Sequence, residues 1–292
     1  MITSKFYLQN EIGETKSLNL EDSVFFKPVG GLGITETIEL ADLQDGFFSQ
    51  TQSKIPKNSI TGNLVFKRGA FANYANLVDW VMSSNELDFI YVPQETLKYH
   101  RRVKMVSLTK TIRDSAGWCE MPVSFLCFTP WFLATSPSIE FTAGQASKMR
   151  FPIVFSSDLR FSAALYGAAS AVVSRGGHMP ASWKLRYSGY MINPVITVTG
   201  YSSGTEYGKC VISGTIGATD TLELSTLYLD SHVKRITSEG AETDLINDSS
   251  VDIAYEPFAR IPTSEDCVLK IAAENTLDGL ATITVNHYYR SV

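Results

Sequence analysis

Residues 119–127 read Cys119-Glu120-Met121-Pro122-Val123-Ser124-Phe125-Leu126-Cys127. Cys119, Met121, Val123, Phe125 and Cys127 share one parity; Glu120, Pro122 and Ser124 take the other. Strand side chains alternate between faces, so this run predicts a strand with one face in a core and one in water. The same period of two recurs along the chain. Ile60, Leu64 and Phe66 share a parity with Gly62, and Val103 and Met105 alternate with Arg102 and Lys104. Leu185 and Tyr187 alternate with Lys184 and Arg186, Leu222 and Leu224 with Thr221 and Glu223, and Ile283 and Val285 with Thr282, Thr284 and Asn286. Turn dipeptides separate the runs: Asp45-Gly46, Ala116-Gly117, Ser203-Gly204, Glu239-Gly240 and Asp278-Gly279.

One segment departs from this rhythm. Phe71, Tyr74, Val78 and Val81, with Leu77 and Met82 beside them, follow a helical spacing over about three turns, leaving Asn73, Asn76 and Asp79 to face outward. Strands precede it at Ile60–Lys67 and follow it at Leu87–Val92, which suggests a sheet with one helix across a face. Thr129-Pro130-Trp131 closes a strand, and Ala134-Thr135-Ser136-Pro137-Ser138 reads as a linker, because proline cannot donate to a central ladder. Beyond it, turns every 8–15 residues between short strands predict a β-sandwich or jelly roll. The stretch Leu159–Ser174 is a candidate helix that Gly167 weakens. The expectation is therefore a mainly β chain of two domains, 1–135 and 139–292, the first a β-sheet or sandwich with one α-helix. A length of 292 residues fits two domains, and 44% apolar with 19% charged residues fits folded chains with real cores.

Charge narrows the function. The net charge of −5 offers no basic field to hold a nucleic acid duplex. It is unevenly spread: residues 1–45 hold 3 Lys/Arg and 8 Asp/Glu, and residues 46–113 hold 10 Lys/Arg and 4 Asp/Glu. Solvated faces account for such a pattern, and so do two complementary patches that join copies head to tail in a ring. No apolar run follows Lys5, so no secretory signal is expected, and no run reaches the ~18 apolar residues of a membrane helix.

Catalytic and metal signatures are missing. His100, His178, His232 and His287 have no metal-ligand spacing with one another or with Cys119, Cys127, Cys210 and Cys267. The cysteines contain no CxxC pair and predict reduced, buried thiols. Gly30-Gly31-Leu32-Gly33 lacks the lysine and third glycine of phosphate-binding loops and reads as a turn. Asp244, Asp248 and Asp252 do not follow calcium-loop spacing and read as a solvated loop. No catalytic residue, cofactor or metal is expected, and a carboxylate hydrolase has no local mark. The aromatic residues Trp183, Tyr187, Tyr190, Tyr201 and Tyr207 leave two readings open, core or interface packing and a platform for sugar rings. On the second, Trp183, Tyr187 and Tyr190 are the candidate glycan-binding residues of a module that recognises cell-wall glycans.

Residues 55–131 carry a resemblance. The strand with Ile60, Leu64 and Phe66 and the helix Phe71–Met82 come first, followed by Asp88-Phe89-Ile90-Tyr91-Val92-Pro93 and the strand Tyr99–Lys110. Gly117-Trp118 and the run Val123–Trp131, ending Thr129-Pro130-Trp131, close the block. Together they resemble the N-terminal domain of the distal tail (Dit) proteins of long-tailed bacteriophages. Asn193–Gly200, Thr219–Thr226 and Phe258–Pro262 are similar to strands of the galectin-like β-sandwich that follows in that family. The resemblance implies a non-enzymatic structural hub of a non-contractile phage tail, or of a phage-tail-like bacteriocin. It implies a hexameric ring joining the tail tube to the tail-tip hub and receptor-binding proteins. The tape-measure protein and then DNA would pass through its lumen without specific binding. Such a part is built in the host cytoplasm and released by lysis.

Overall fold

The computed structural model describes residues 4–33, 37–42, 48–54, 58–67, 69–111, 118–143, 167–228, 230–252, 254–275, 277 and 279–292. The turns expected at Asp45-Gly46 and Ala116-Gly117, Asp278 of the last turn, and residues 159–166 of the candidate helix lie outside them. The chain forms two compact units, residues 1–133 with 288–292 and residues 134–287.

In the first unit, β1 (Lys5–Asn10), β2 (Thr15–Ser17), β3 (Val24–Gly30), β4 (Thr37–Asp42), β5 (Phe48–Lys54) and β6 (Ser59–Phe66) precede helix α1 (Ala70–Ser83). β7 (Leu87–Gln94), β8 (Leu97–Leu108), β9 (Cys119–Cys127) and the start of β10 (Trp131–Thr135) follow. The antiparallel path is β2-β1-β7-β8-β9-β6-β3. β8 is long enough to serve two layers. Its first half pairs with β7 and its second with β9, around a bulge between Met105 and Ser107. The layers face each other through aromatic rings. Phe6 of β1 stands 5.3 Å from Phe26 of β3, and Phe89 of β7 stands 5.5 Å from Phe125 of β9.

The parity of residues 119–127 is that of the buried face: Cys119, Met121, Val123 and Phe125 are in the core, while Glu120 and Pro122 are exposed. Pro122 is tolerated because it lies where the ladder to β8 is ending. Gly62 takes the inward parity because the Phe26 ring fills the place of a side chain: a Cβ there would meet it at 2.5 Å. Gly31, at φ 92°, folds the glycine-rich turn against β6, where a Cβ would lie 2.3 Å from the Ser59 carbonyl oxygen. This segment is a close-packed turn.

The helix lies where the spacing predicts, but its register differs. Ala70, Leu77, Trp80 and Val81 are buried, Tyr74 packs beside them, and Phe71 and Met82 are exposed. Two apolar stripes run side by side, 70-74-77-81 and 71-75-78-82, and packing against β6 selects the first. Burying Leu77, Trp80 and Val81 contributes roughly 1.5–3 kcal/mol each. Trp80 also donates its indole N–H to Glu14, 2.7 Å away, which ties the β1–β2 turn to the helix.

The second unit is a two-sheet sandwich. Its strands are β11 (Glu140–Ala143), β12 (Gly167–Val173), β13 (Met179–Ser188), β14 (Met191–Ile192), β15 (Val195–Gly200) and β16 (Glu206–Val211), then β17 (Thr215–Ile216), β18 (Thr221–Leu227), β19 (Asp230–Ile236), β20 (Glu242–Asp244), β21 (Cys267–Ala273) and β22 (Leu280–Tyr289). One sheet runs β11-β12-β21-β15-β16, the other β22-β13-β18-β19-β20, and a single core fills the gap. Two expectations need correction. Residues 167–173 are a strand, not a helix: Ala169, Ala171 and Val173 alternate into the core, where small side chains suit the opposing sheet. Ala134 and Thr135 continue β10, so the segment without regular structure starts at Ser136.

Candidate assembly interface

The sequence alternation that sends Phe6 and Leu8 inward sends Lys5, Tyr7 and Gln9 to the outer face of β1. On neighbouring β7, Leu87 and Phe89 join the core while Ile90 and Val92 face the other way. The outer face of β1, β7 and β8 holds a concavity of about 1210 Å³. Ile90 and Val92 are nearly buried within it, and Lys5, Lys98, Glu95 and His100 help to line it. Burial pushes the His100 imidazole below its ordinary pKa.

A second feature is the β4–β5 hairpin. Its strands pair with each other from Thr37↔Lys54 to Asp42↔Phe48, with a bulge between Glu39 and Leu40. They pair with no other strand among the described residues. By sequence, β4 and β5 carry Glu39, Asp42 and Lys54. A lone two-stranded hairpin is marginal in water, and its open edges invite another chain.

One residue that sequence reading passed over, Arg101, ties segments of this unit together. Arg101 is buried, donates from Nε to the Thr129 carbonyl (2.8 Å) and from Nη1 to the Gly31 carbonyl (3.4 Å), and lies 5.4 Å from the Trp131 ring centre. Burial lowers its pKa. It fastens the glycine turn to the Thr129-Pro130-Trp131 segment. Arg101 shares the parity of Val103 and Met105 and so turns inward, while its neighbour Arg102 is half exposed.

The polar clusters of the second unit are saturated rather than poised. Glu223 lies on the outward parity of β18, yet it is buried beneath Lys184 Nζ (2.8 Å), Arg186 Nε (3.1 Å) and His232 Nε2 (2.9 Å). Burial raises its pKa. Hydrogen bonds from Lys184 and His232, with the charges of Lys184 and Arg186, outweigh that and hold it below the usual carboxylate range. Asp244 spends its oxygens on Ile246 N, Asn247 N and Asn247 Nδ2, so the aspartate series is a loop staple. Burial drives the Cys210 thiol up to about 12 and Cys267 to about 11, away from the thiolate that reactivity needs. Among the described residues no group of three His, Cys, Asp or Glu is arranged to hold a metal ion.

Glu265 gives the clearest pH signature. Its carboxylate accepts hydrogen bonds from Ser203 Oγ (2.6 Å), Tyr207 OH (2.5 Å), Ser203 N (3.1 Å) and Ser202 N (3.2 Å), which hold its pKa at about 2. Because the folded pKa lies below the ordinary value of 4.5, its stabilisation is complete above about pH 4.5 and is lost as pH falls toward 2. Urea midpoints of the parent and Glu265→Gln are expected to differ at pH 6 and to converge as pH drops through that window. A difference that does not change with pH contradicts this assignment.

The family profile described as the N-terminal domain of distal tail proteins matches residues 5–128. Residues 5–128 therefore carry the N-terminal domain of the phage distal tail protein family. Solved structures agree on the fold. The whole chain is similar to a chain in the phage P2 baseplate in its activated conformation with calcium, at TM-score 0.67 and 13% identity, covering 99% of this chain and 100% of that one. It is also similar to the Dit protein of phage SPP1, at TM-score 0.53 and 9% identity, covering 97% and 98%. No curated protein sequence matches the chain.

The aromatic residues considered for glycan binding do not form one surface. Trp183 is 1% exposed and donates its indole N–H to the Ala259 carbonyl at 2.9 Å. Tyr187 is fully buried, and its hydroxyl accepts from Gly279 N at 2.9 Å. Tyr190 alone of the three is exposed. The correction has a simple cause. Trp183 and Tyr187 share the parity of Leu185, so all three point into the core, and buried rings cannot stack on a sugar.

Proposed function

We propose that this chain is a structural protein of a phage tail that acts through shape and self-association, as six copies closed in a ring. The ring joins the tail tube to the tail-tip hub and receptor-binding proteins of a phage or phage-tail-like particle. The observation that carries this reading is the match of residues 5–128 to the distal tail N-terminal domain. Likeness along nearly the full chain to a P2 baseplate chain, and to an SPP1 protein described as a paradigm of hub adsorption apparatus, supports the hub role. The domain of residues 1–135 forms the ring, and residues 139–292 form a galectin-like sandwich facing other tail components. A ring subunit needs two different, complementary patches, and the acidic residues 1–45 and basic residues 46–113 supply opposite charge. The tape-measure protein and DNA pass through the lumen unheld, in keeping with a net-acidic chain. The particle is assembled in the host cytoplasm and released by lysis. The chain does no bond-making chemistry.

Electron microscopy of tail tips carrying a tagged copy of the chain tests the reading. Six labels around one axis at the tube end are expected. Labels along the tube, or no incorporation, reject it.

A further inference from the structure

We infer that residues Tyr288–Val292 are a clasp that the N-terminal unit must close before it can join a ring, so that chains stopping short of Tyr288 are kept out of the assembly. The inference rests on the ring reading above and deepens it, because it adds a late segment of sequence to the unit that forms the ring. The chain passes between its two units twice. It leaves the first unit after Leu133 and returns to it at Tyr288, inside strand β22. The first unit is therefore finished only after the whole sandwich, residues 134–287, has been made.

The returning segment grips both faces of the first unit's sheet. Tyr288 and Tyr289 end β22, and successive strand side chains point to opposite sides. On the core side, Tyr289 meets Tyr99 of β8 edge to face, 5.3 Å between ring centres, and packs with Val292 against the N-terminal core. Tyr99 is the cross-strand partner of Tyr91, whose ring stacks on Phe6 of β1. On the other side, Tyr288 is 4% exposed and meets Phe132 at 6.2 Å, while Phe132 stacks on His100 at 5.5 Å. His100 is a wall of the concavity on β1, β7 and β8, so the clasp backs that outer surface through one intervening ring. Without residues 288–292, Tyr99 and Phe132 lose the rings that cover them, and bare aromatic surface draws chains into unordered contacts. A closed ring needs the same patches on every copy, so one unclasped copy interrupts it.

Hydrogen exchange and light scattering test the clasp on the parent, on a chain ending at His287, and on the full-length chain with Tyr288→Ala and Tyr289→Ala together. Both altered proteins are expected to exchange the amides of β7 and β8 about tenfold faster or more, while β12 and β21 of the sandwich keep the parent rates. Both are also expected to need at least about tenfold more protein to assemble. Tyr190→Ala, at an exposed tyrosine of the second unit, keeps the parent exchange and assembly. Parent-like exchange in β8, or assembly of both altered proteins within about threefold of the parent, overturns the clasp and leaves the ring standing. Faster exchange spread equally over the sandwich also overturns it, because the segment would then serve the whole chain and not the first unit. A parent chain that never assembles rejects the ring reading itself, and exchange in β8 then decides by itself whether residues 288–292 close the first unit.

Discussion

Phe89→Ala is expected to destabilise the N-terminal unit by about 3–5 kcal/mol, a large share of the roughly 5–15 kcal/mol that holds a typical domain folded. Phe89 is fully buried at the centre of the two-layer core. Its ring touches Phe6 at 5.9 Å, Phe26 at 5.4 Å, Phe125 at 5.5 Å and Trp131 at 6.2 Å between ring centres. Those four residues come from β1, β3, β9 and β10, so one truncation loosens contacts between both layers. The cavity cannot close easily, because rigid rings on every side are held by strands. Thermal and denaturant unfolding measure the loss. Phe71→Ala on the exposed stripe of α1 serves as the control and is expected to change stability by less than about 1 kcal/mol. Equal effects from the two variants would contradict the helix register.

Trp183→Ala is the second large effect, again about 3–5 kcal/mol, and here in the C-terminal sandwich. The indole fills the gap between the two sheets and satisfies the Ala259 carbonyl, so truncation leaves both a cavity and an unpaired buried acceptor. Tyr190→Ala leaves the sandwich intact. A glycan platform built on Trp183 would behave the other way: the truncated protein would fold normally and lose only binding to wall polysaccharide. Circular dichroism and a pull-down on purified cell wall separate the two outcomes.

The strands were legible because their evidence is local. In residues 119–127 and in Lys184–Ser188 every second side chain is apolar, and one face of a sheet is all that such a pattern needs to state. The helix was legible as a helix but not in rotation. Both 70-74-77-81 and 71-75-78-82 are apolar, and only β6 decides between them. The buried charges were hidden for a related reason. Glu223 and Arg101 are enclosed by residues far away in sequence, Lys184 and His232 for one, Gly31 and Thr129 for the other. The β4–β5 hairpin left little trace, because a bulge after Glu39 breaks its alternation and β5 is mostly Ser, Thr and Gln. For the aromatic residues the signal was present: the parity that turned Leu185 inward applied equally to Trp183 and Tyr187.

The most direct check is negative-stain imaging of the purified full-length protein at assembly concentrations, with mass read in parallel by light scattering. The account predicts closed six-membered annuli with an open centre. A uniform population of single chains, under conditions in which tails assemble, would contradict it.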